Sequence, residues 1–131
     1  LNVLINIQHQ LFNFGAELTL PEQTQIHPHD IEFLEMKIDA FNTQLPCLKE
    51  FILPGGSVAA AQCFYARAIT RRLERTLVQY HQNKKISVLL IQYCNRLSDL
   101  LFVLARYLNH DQNTPEHYWK SKRLENYLSD K

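Results

Sequence analysis

The stretch ISVLLIQYCNRLSDLLFVLARYLN, residues 86–109, decides the fold class. It is strongly apolar, and its leucines recur at helical spacings: Leu89, Leu97, Leu101, Leu104 and Leu108. A very apolar segment with leucines at these spacings predicts a helix over about residues 86–109. The polar residues Gln92, Asn95, Arg96 and Asp99 interrupt it well before membrane-spanning length, so we expect no membrane span.

Three more helices are predicted upstream of this stretch. In the first two, apolar residues recur at spacings of three and four: Val3, Ile7, Leu11, Phe14 and Leu18, then Ile31, Leu34, Ile38, Phe41 and Leu45. We expect the first to end near Pro21, and the second to run from an Asp30 N-cap to Pro46. The third runs from an N-cap at Ser57 to about Gln82. Its apolar side is Ile69, Leu73, Leu77 and Tyr80.

Short connections join these helices, including a turn predicted at residues 83–85, and they favour antiparallel neighbours in an up-and-down helix bundle. The 131 residues are one domain's worth of chain, and only 3 glycines and 5 prolines leave little room for the turns of an all-β fold. We therefore expect a single all-α domain over residues 1–131. Residues 110–131 form a polar tail in which a short helix is predicted after Pro115.

Composition excludes several classes of function. Lys plus Arg is 14 and Asp plus Glu is 13, so the net charge of +1 argues against a nucleic-acid binder. The three cysteines form no CxxC pair, which favours a reducing compartment, and no signal-peptide pattern opens the chain, so we expect a cytoplasmic protein. Because the sequence starts inside an apolar periodic run without Met, we also expect residues upstream of Leu1.

A mixed charged and apolar face on the third helix is the first candidate for chemistry. Arg67, Arg71 and Glu74 are spaced by four and three and so share a face, with Arg72 and Arg75 beside them. On pattern alone, a solvated face with i,i+4 ion pairs is the more common interpretation. Apolar neighbours on the same face favour a partner surface or an anion site instead; they are Ala60, Cys63, Phe64 and Val78.

On the fourth helix, Asn95, Asp99, Phe102 and Arg106 fall along one line. Asn95 either makes a helix–helix hydrogen bond or contacts a ligand, and spacing does not choose between the two.

Three other patterns are weaker. Gly55-Gly56-Ser57 opens a helix, where free backbone N–H groups attract anions. It lacks the spacing and the following lysine of the Walker phosphate-binding motif, so a simple turn is favoured over a phosphate site. His27, His29 and Asp30 could bind a metal, although exposure in a polar loop is favoured and no metal site is predicted. The chain contains no Glu-x-x-His, which excludes the ferritin-type di-iron oxidases.

Three blocks in register resemble the PduO-type ATP:cob(I)alamin adenosyltransferases, also called corrinoid adenosyltransferases. They are FILPGGS at 51–57, ARAITRRLER at 66–75 and NRLSD at 95–99, and the similarity extends over about residues 8–109. The resemblance implies a ferritin-like bundle, four helices being visible and a fifth expected upstream, which assembles as a homotrimer with active sites between subunits. It also implies the reaction, in which the 5′-deoxyadenosyl group of ATP is transferred to the cobalt of cob(I)alamin and triphosphate is released.

The resemblance also assigns roles to individual residues. Arg71, Arg72, Glu74, Arg75 and Asn95 match ATP-binding residues, with Arg71 on the polyphosphate and Asn95 at the nucleoside end. Arg67 matches an arginine that pairs with an aspartate of another subunit. Phe51 matches the aromatic residue that faces the corrin and displaces the lower axial ligand of cob(II)alamin. On this basis Arg71, Phe51 and Arg67 are the predicted catalytic residues, and ATP, Mg²⁺ and cobalamin are the expected small molecules, with a reductase supplying the electron.

The family's phosphate-binding loop and the first helix, which carries the aspartate partner of Arg67, would lie upstream of Leu1. One alternative therefore stays open, a non-catalytic cobalamin-binding or scaffold bundle of the same fold. Trp119 and Tyr118, in a tail without similarity to the family, could cover a hydrophobic ligand.

Overall fold

The computed structural model describes residues 1–83, 86–120 and 122. It contains four helices: α1 (Asn2–Thr19), α2 (Pro28–Asn42), α3 (Val58–Asn83) and α4 (Val88–Asp111). Among these residues, extended pairing is confined to one isolated antiparallel bridge between Ile52 and Tyr118. The all-α prediction is therefore confirmed, while most of the turn predicted at residues 83–85 lies outside the described residues.

Helix α4 lies at the centre of the fold, and twelve of its residues are buried. Its contacts with α3 run from Glu74–Asn95 to Ser57–Asn109, so the two helices are antiparallel. Its contacts with α2 run from Glu35–Arg96 to Phe41–Tyr107, so those two are parallel. Helix α4 is also long and apolar enough to cross a membrane by length and composition, but 56% of that apolar window is buried in the fold, as in a core helix.

The N-terminus of α2 differs from the prediction. Asp30 is the third residue of the helix rather than its cap, and its carboxylate accepts a hydrogen bond of 2.9 Å from the backbone N–H of the N-cap His27. Pro28 takes the first helical position, where its fixed φ and missing N–H suit a helix start. The cap is thus a capping box, and the single-residue Asp30 cap was wrong.

Helix α2 also ends at Asn42, before the predicted stop at Pro46. The backbone N–H groups of Gln44 and Leu45 bond to carbonyls three residues earlier, so tighter turns replace the last α-helical turn. After Pro115, residues 116–120 are not helical, because Tyr118 pairs with Ile52 instead. A short helix after Pro115 is therefore not formed over these residues, whereas Lys122 is helical. Residues 121 and 123–131, on which the rest of that prediction falls, lie outside the described part of the chain.

Some predicted core residues face outward. Leu11, Leu18, Ile69 and Tyr80 are about two-fifths exposed. On α3 the predicted Leu77 is buried and Leu73 packs against the core, and Ala60 and Phe64, from outside the predicted apolar side, are buried as well. Ser57 is the predicted N-cap of α3, and its Oγ accepts from the N–H of Ala60 at 3.1 Å, which confirms it.

A buried carboxylate fixes the first loop to α1. Glu17 is 2% exposed, and its Oε1 accepts hydrogen bonds from the backbone N–H groups of Gln25 at 2.7 Å and Ile26 at 2.9 Å. Ile26 is fully buried in the core beside these bonds. One carboxylate oxygen thus satisfies two backbone donors that the loop would otherwise bury without partners.

Replacing this carboxylate should destabilise the protein strongly. We expect Glu17→Ala to lower the free energy of unfolding by about 2–4 kcal/mol, since two backbone donors lose their acceptor in a buried site. Glu17→Gln, which keeps one acceptor oxygen, should lose less, and Glu22→Ala at an exposed loop position should change little. Urea denaturation measures all three, and equal losses for Glu17→Ala and Glu22→Ala would contradict this role.

The three cysteines should react with iodoacetamide in a fixed order. Cys47 is exposed, Cys63 is half-buried and Cys94 is buried. Burial raises the pKa of the Cys63 thiol, and burial together with the nearby Glu74 carboxylate raises the pKa of Cys94 to about 12. Because the thiolate is the reactive form, at pH 8 we expect rapid alkylation of Cys47, slower alkylation of Cys63 and protection of Cys94. Peptide mass spectrometry checks the order, and rapid labelling of Cys94 in the folded protein would contradict the packing of α4.

Candidate functional site

Glu74 of α3 and Asn95 of α4 face each other across the helix pair. The Nδ2 of Asn95 donates to Oε2 of Glu74 at 3.3 Å, and both side chains are partly buried. They line a cleft of about 330 Å³ together with Ile31, Glu35, Ile91, Gln92 and Arg96. The helix–helix hydrogen bond considered for Asn95 is therefore present, and the same two residues also face a cavity. Asn95 keeps unused amide donor and acceptor capacity for a ligand in that cavity.

Arg96 organises the polar wall of this cleft. Its Nε donates to Oε1 of Glu35 on α2 at 2.9 Å, and its Nη1 donates to Oδ1 of Asn95 at 2.8 Å. The same Nη1 lies 3.5 Å from Oδ2 of Asp99. The hydrogen bond to Glu35 is the main reason why the pKa of Arg96 is raised. This arginine therefore orients the Asn95 amide, with its oxygen toward Arg96 and its nitrogen toward Glu74.

A second and larger cleft, of about 580 Å³, lies further along α4. It is lined by residues 48–52, Arg67, Asp99 and Phe102. The Arg67 guanidinium carbon lies 5.2 Å from the centre of the Phe102 ring, in cation–π geometry. Burial, and next the charge of Arg71, lower the pKa of Arg67. Over the described residues no carboxylate lies within ion-pair distance of Arg67, so this half-buried cation faces the cleft without a salt-bridge partner.

Phe51 stands at the rim of the second cleft. Phe51 is 73% exposed, and the centre of its ring lies 6.0 Å from the centre of the Trp119 ring. The structure thus brings the predicted residues Phe51 and Arg67 to one cleft, and the predicted residues Glu74 and Asn95 to the other.

The remaining three predicted residues, Arg71, Arg72 and Arg75, are exposed on α3 and line neither of these two clefts. None of the three forms an ion pair with a carboxylate in the described part of the chain. The i,i+4 pairs typical of a solvated face are therefore not formed here. With no ion-pair partner among the described residues, these three guanidinium groups form a surface suited to an anion with several oxygens.

The weaker patterns do not assemble into sites. His27 and His29 stack with ring centres 5.5 Å apart, and Asp30 serves the helix cap. No group of three His, Cys, Asp or Glu side chains in the described residues could hold a metal ion. Gly55 and Gly56 form the turn that was favoured, with Gly56 at a φ of 106°.

Sequence reasoning missed Glu35 and Arg96, and it placed Arg106 beside Asn95 and Phe102. Arg106 is in fact 3% exposed and bonds to Glu116 and to the Pro46 carbonyl. Arg96 and Arg106 have partners up to 61 residues away in the sequence, so the spacing of residues along one helix could not predict these contacts. The adjacency of Arg96 to Asn95 and its i,i+3 relation to Asp99 were the available signals.

The chain is similar in sequence to known proteins. Residues 1–108 match the family model described as cobalamin adenosyltransferase. A cobalamin adenosyltransferase of Cupriavidus metallidurans is 43% identical over 120 residues, covering 92% of this chain and 65% of the relative. A corrinoid adenosyltransferase of Bacillus subtilis is 41% identical over 109 residues, covering 81% of this chain and 56% of the relative. The chain thus spans less than two thirds of the length of these curated relatives.

Solved structures resemble the fold as well. A variant PduO-type ATP:corrinoid adenosyltransferase from Lactobacillus reuteri, complexed with cobalamin and ATP, superposes with a TM-score of 0.85 at 34% identity. That match covers 92% of this chain and 68% of the other. A second variant of that enzyme, complexed with ATP, gives a TM-score of 0.83 at 35% identity, covering 91% of this chain and 70% of the other. On the family match over residues 1–108, this chain belongs to the cobalamin adenosyltransferase family.

Proposed function

We propose that this chain transfers the 5′-deoxyadenosyl group of ATP to the cobalt of cob(I)alamin, with release of triphosphate. One observation carries the proposal: two separate clefts open one turn apart on α4. The first contains the Glu74–Asn95 pair, and the second contains Asp99 and the aromatic side chains of Phe51 and Phe102. Residues four apart on a helix lie on the same face, about 6 Å from each other. Two substrates bound in these clefts would therefore be close enough to react.

The first cleft and the arginine face of α3 (Arg71, Arg72 and Arg75) suit ATP. Glu74 and Asn95 offer the carboxylate and amide that would hydrogen-bond the nucleoside end of ATP. The exposed Arg71, Arg72 and Arg75 would bind the polyphosphate, because guanidinium forks match phosphate oxygens bidentately. The Lactobacillus reuteri structures that contain ATP support ATP as a substrate of this chain.

The second cleft suits the corrin. Phe51 presents an exposed aromatic ring at its rim, where it would face the macrocycle and displace the lower axial ligand of cob(II)alamin. A four-coordinate cobalt is easier to reduce, and the reductase that we propose as a partner would supply the electron. The cobalt of the cob(I)alamin substrate then attacks the 5′ carbon of ATP. A cobalt–carbon bond forms, the C5′–O bond breaks, and the electron pair leaves with triphosphate.

The protein supplies position and charge to this reaction rather than a nucleophile. Asn95 and Glu74 would fix the adenosyl group, and Arg71 would stabilise the charge that develops on the leaving triphosphate. The described residues hold no group of three ligands for the Mg²⁺ expected with ATP. Phosphate oxygens and water would be its main ligands, as is usual for this ion, and we assign it no step.

We further propose a ferritin-like homotrimer with active sites between subunits. Arg67 lacks an ion-pair partner among the described residues, which supports pairing with an aspartate of another subunit. Several large apolar side chains are also exposed on the single subunit, which favours association; they include Ile5, Phe12, Val58, Tyr65 and Ile69. Three free cysteines fit the reducing cytoplasm in which we place the protein.

Arg71→Ala tests the assignment of the arginine face. We expect the KM for ATP to rise by about 10- to 100-fold, since a charge-assisted hydrogen bond contributes about 1.5–3 kcal/mol. The trimer should be retained, because Arg71 is exposed and packs against no core cluster. Steady-state turnover of cob(I)alamin and size-exclusion chromatography provide the two measurements, and Lys37→Ala on α2 is the control for loss of a positive charge.

Two outcomes would contradict the proposal in different ways. Unaltered turnover in Arg71→Ala would show that the arginine face does not bind the polyphosphate. A wild-type protein that bound cobalamin without consuming ATP would instead support the non-catalytic cobalamin-binding alternative.

A further inference from the structure

Arg106 is a buried cation that bonds two separate segments of the chain. It is 3% exposed on α4, and its Nη2 donates to the carbonyl of Pro46 at 2.9 Å. Its Nε donates to Oε1 of Glu116 at 2.8 Å. Pro46 opens the connector (residues 46–57), and Glu116 belongs to the C-terminal segment (residues 114–119). The planar guanidinium can serve both because its donors point in fixed and different directions.

Asn109, one turn beyond Arg106, holds the other end of the connector. It is 2% exposed, its Oδ1 accepts from the N–H of Ser57 at 2.9 Å, and its Nδ2 donates to the carbonyl of Gly55 at 2.9 Å. Between these two groups lies Gly56, where a Cβ would collide with the Asn109 amide. The connector is therefore fastened to α4 at both ends by side chains whose hydrogen bonds go to its backbone.

The C-terminal segment fastens the middle of the connector. Leu53 donates its N–H to the carbonyl of His117, and Trp119 donates its N–H to the carbonyl of Phe51, both at 2.7 Å. The segment is in turn tied to α4, since Thr114 donates to the carbonyl of Asn109 at 2.8 Å. Phe51 thus lies on a short extended stretch whose backbone is bonded on one edge by the C-terminal segment.

These bonds matter because the direction of the exposed Phe51 side chain depends on how its backbone is held. The residue is 73% exposed, and its ring contact is with Trp119 of the C-terminal segment, so its direction depends on the backbone and on that segment. The Phe51 N–H donates to the neighbouring Glu50 carboxylate, and the bonds that tie the connector backbone to the rest of the fold between Pro46 and the Ser57 N–H come from residues 106–119. The family model ends at residue 108.

We propose that Arg106 and Asn109 are positioning residues, and that with the C-terminal segment they form a clamp that aims Phe51 at the second cleft. The proposal rests on the assignment of the corrin to that cleft. Arg106 and Asn109 touch neither substrate and act through the connector backbone. Loss of the clamp should therefore weaken use of the corrinoid and leave use of ATP unchanged, because Glu74 and Asn95 are held by α3 and α4.

Glu116→Ala and Asn109→Ala test the clamp in the full-length chain. Each removes one bonding partner while the Arg106 stem continues to fill the core. We expect the KM for cob(I)alamin to rise about tenfold or more, because a Phe51 ring that no longer faces the corrin loses its contact with the bound macrocycle. The KM for ATP should stay at the wild-type value. Glu116→Gln retains an acceptor for Arg106 and should restore most of the corrinoid KM.

Amide hydrogen exchange gives a readout independent of activity. We expect the peptides that contain Leu53, Ser57 and Trp119 to exchange faster in both variants, while the α3 and α4 peptides keep their protection. Glu22→Ala and Asn42→Ala, at exposed positions, are the matched controls and should reproduce the wild-type values in every measurement.

Each contrary result overturns the clamp. Faster exchange of the connector with an unchanged corrinoid KM would show that its order does not aim Phe51. A joint rise in the KM values for ATP and corrinoid, with loss of helix protection, would show a role in general stability only. A wild-type chain that neither bound nor used a corrinoid would overturn the proposed function, and the clamp's role with it, even if exchange responded as expected.

Discussion

The burial of α4 is the constraint on which the rest of the structure depends. A polar group on a buried helix must find a hydrogen-bond partner or lose a large part of its solvation free energy. Ser98 solves this within its own helix, where its Oγ donates to the carbonyl of Asn95 at 2.7 Å. Arg106 and Asn109 instead take partners from the connector and the C-terminal segment. The path of these two irregular segments is therefore set by the hydrogen bonds that Arg106 and Asn109 of α4 require.

The antiparallel packing of α3 on α4 then sets the spacing of the two clefts. Glu74 lies opposite Asn95, and Arg67 lies opposite Phe102, so both helices advance by seven residues between the two pairs. Seven residues correspond to two turns and about 10 Å along a helix, and Asp99, one turn from Asn95, lines the side of the second cleft that is nearer to the first. The rigid helix pair thus holds the groups for a nucleotide and the groups for a macrocycle at a fixed separation, which suits a transfer that depends on positioning rather than on a protein nucleophile.

Periodicity and turn residues predicted the four helices. Spacing placed Arg67 and Glu74 on one face of α3, and for Asn95 it left open the helix–helix hydrogen bond that the structure contains. The errors arose where tertiary contacts decide. Glu17 turns inward because the loop amides of Gln25 and Ile26 need an acceptor, and no local pattern contains that need. Glu35 was missed because it reaches Arg96 across 61 residues of sequence. The extended structure at Tyr118 likewise depends on Ile52, far away in the chain.

The buried charge of Arg106 contributes to the alignment of the connector with the C-terminal segment rather than to net stability. An apolar residue of similar volume could fill its place in the core, and such replacements of buried ion pairs are often neutral or stabilising. An apolar residue could not, however, donate hydrogen bonds to both the Pro46 carbonyl and the Glu116 carboxylate. Two segments without regular secondary structure of their own need such a shared partner to keep one alignment, and that alignment is what places an exposed aromatic ring at the rim of the larger cleft.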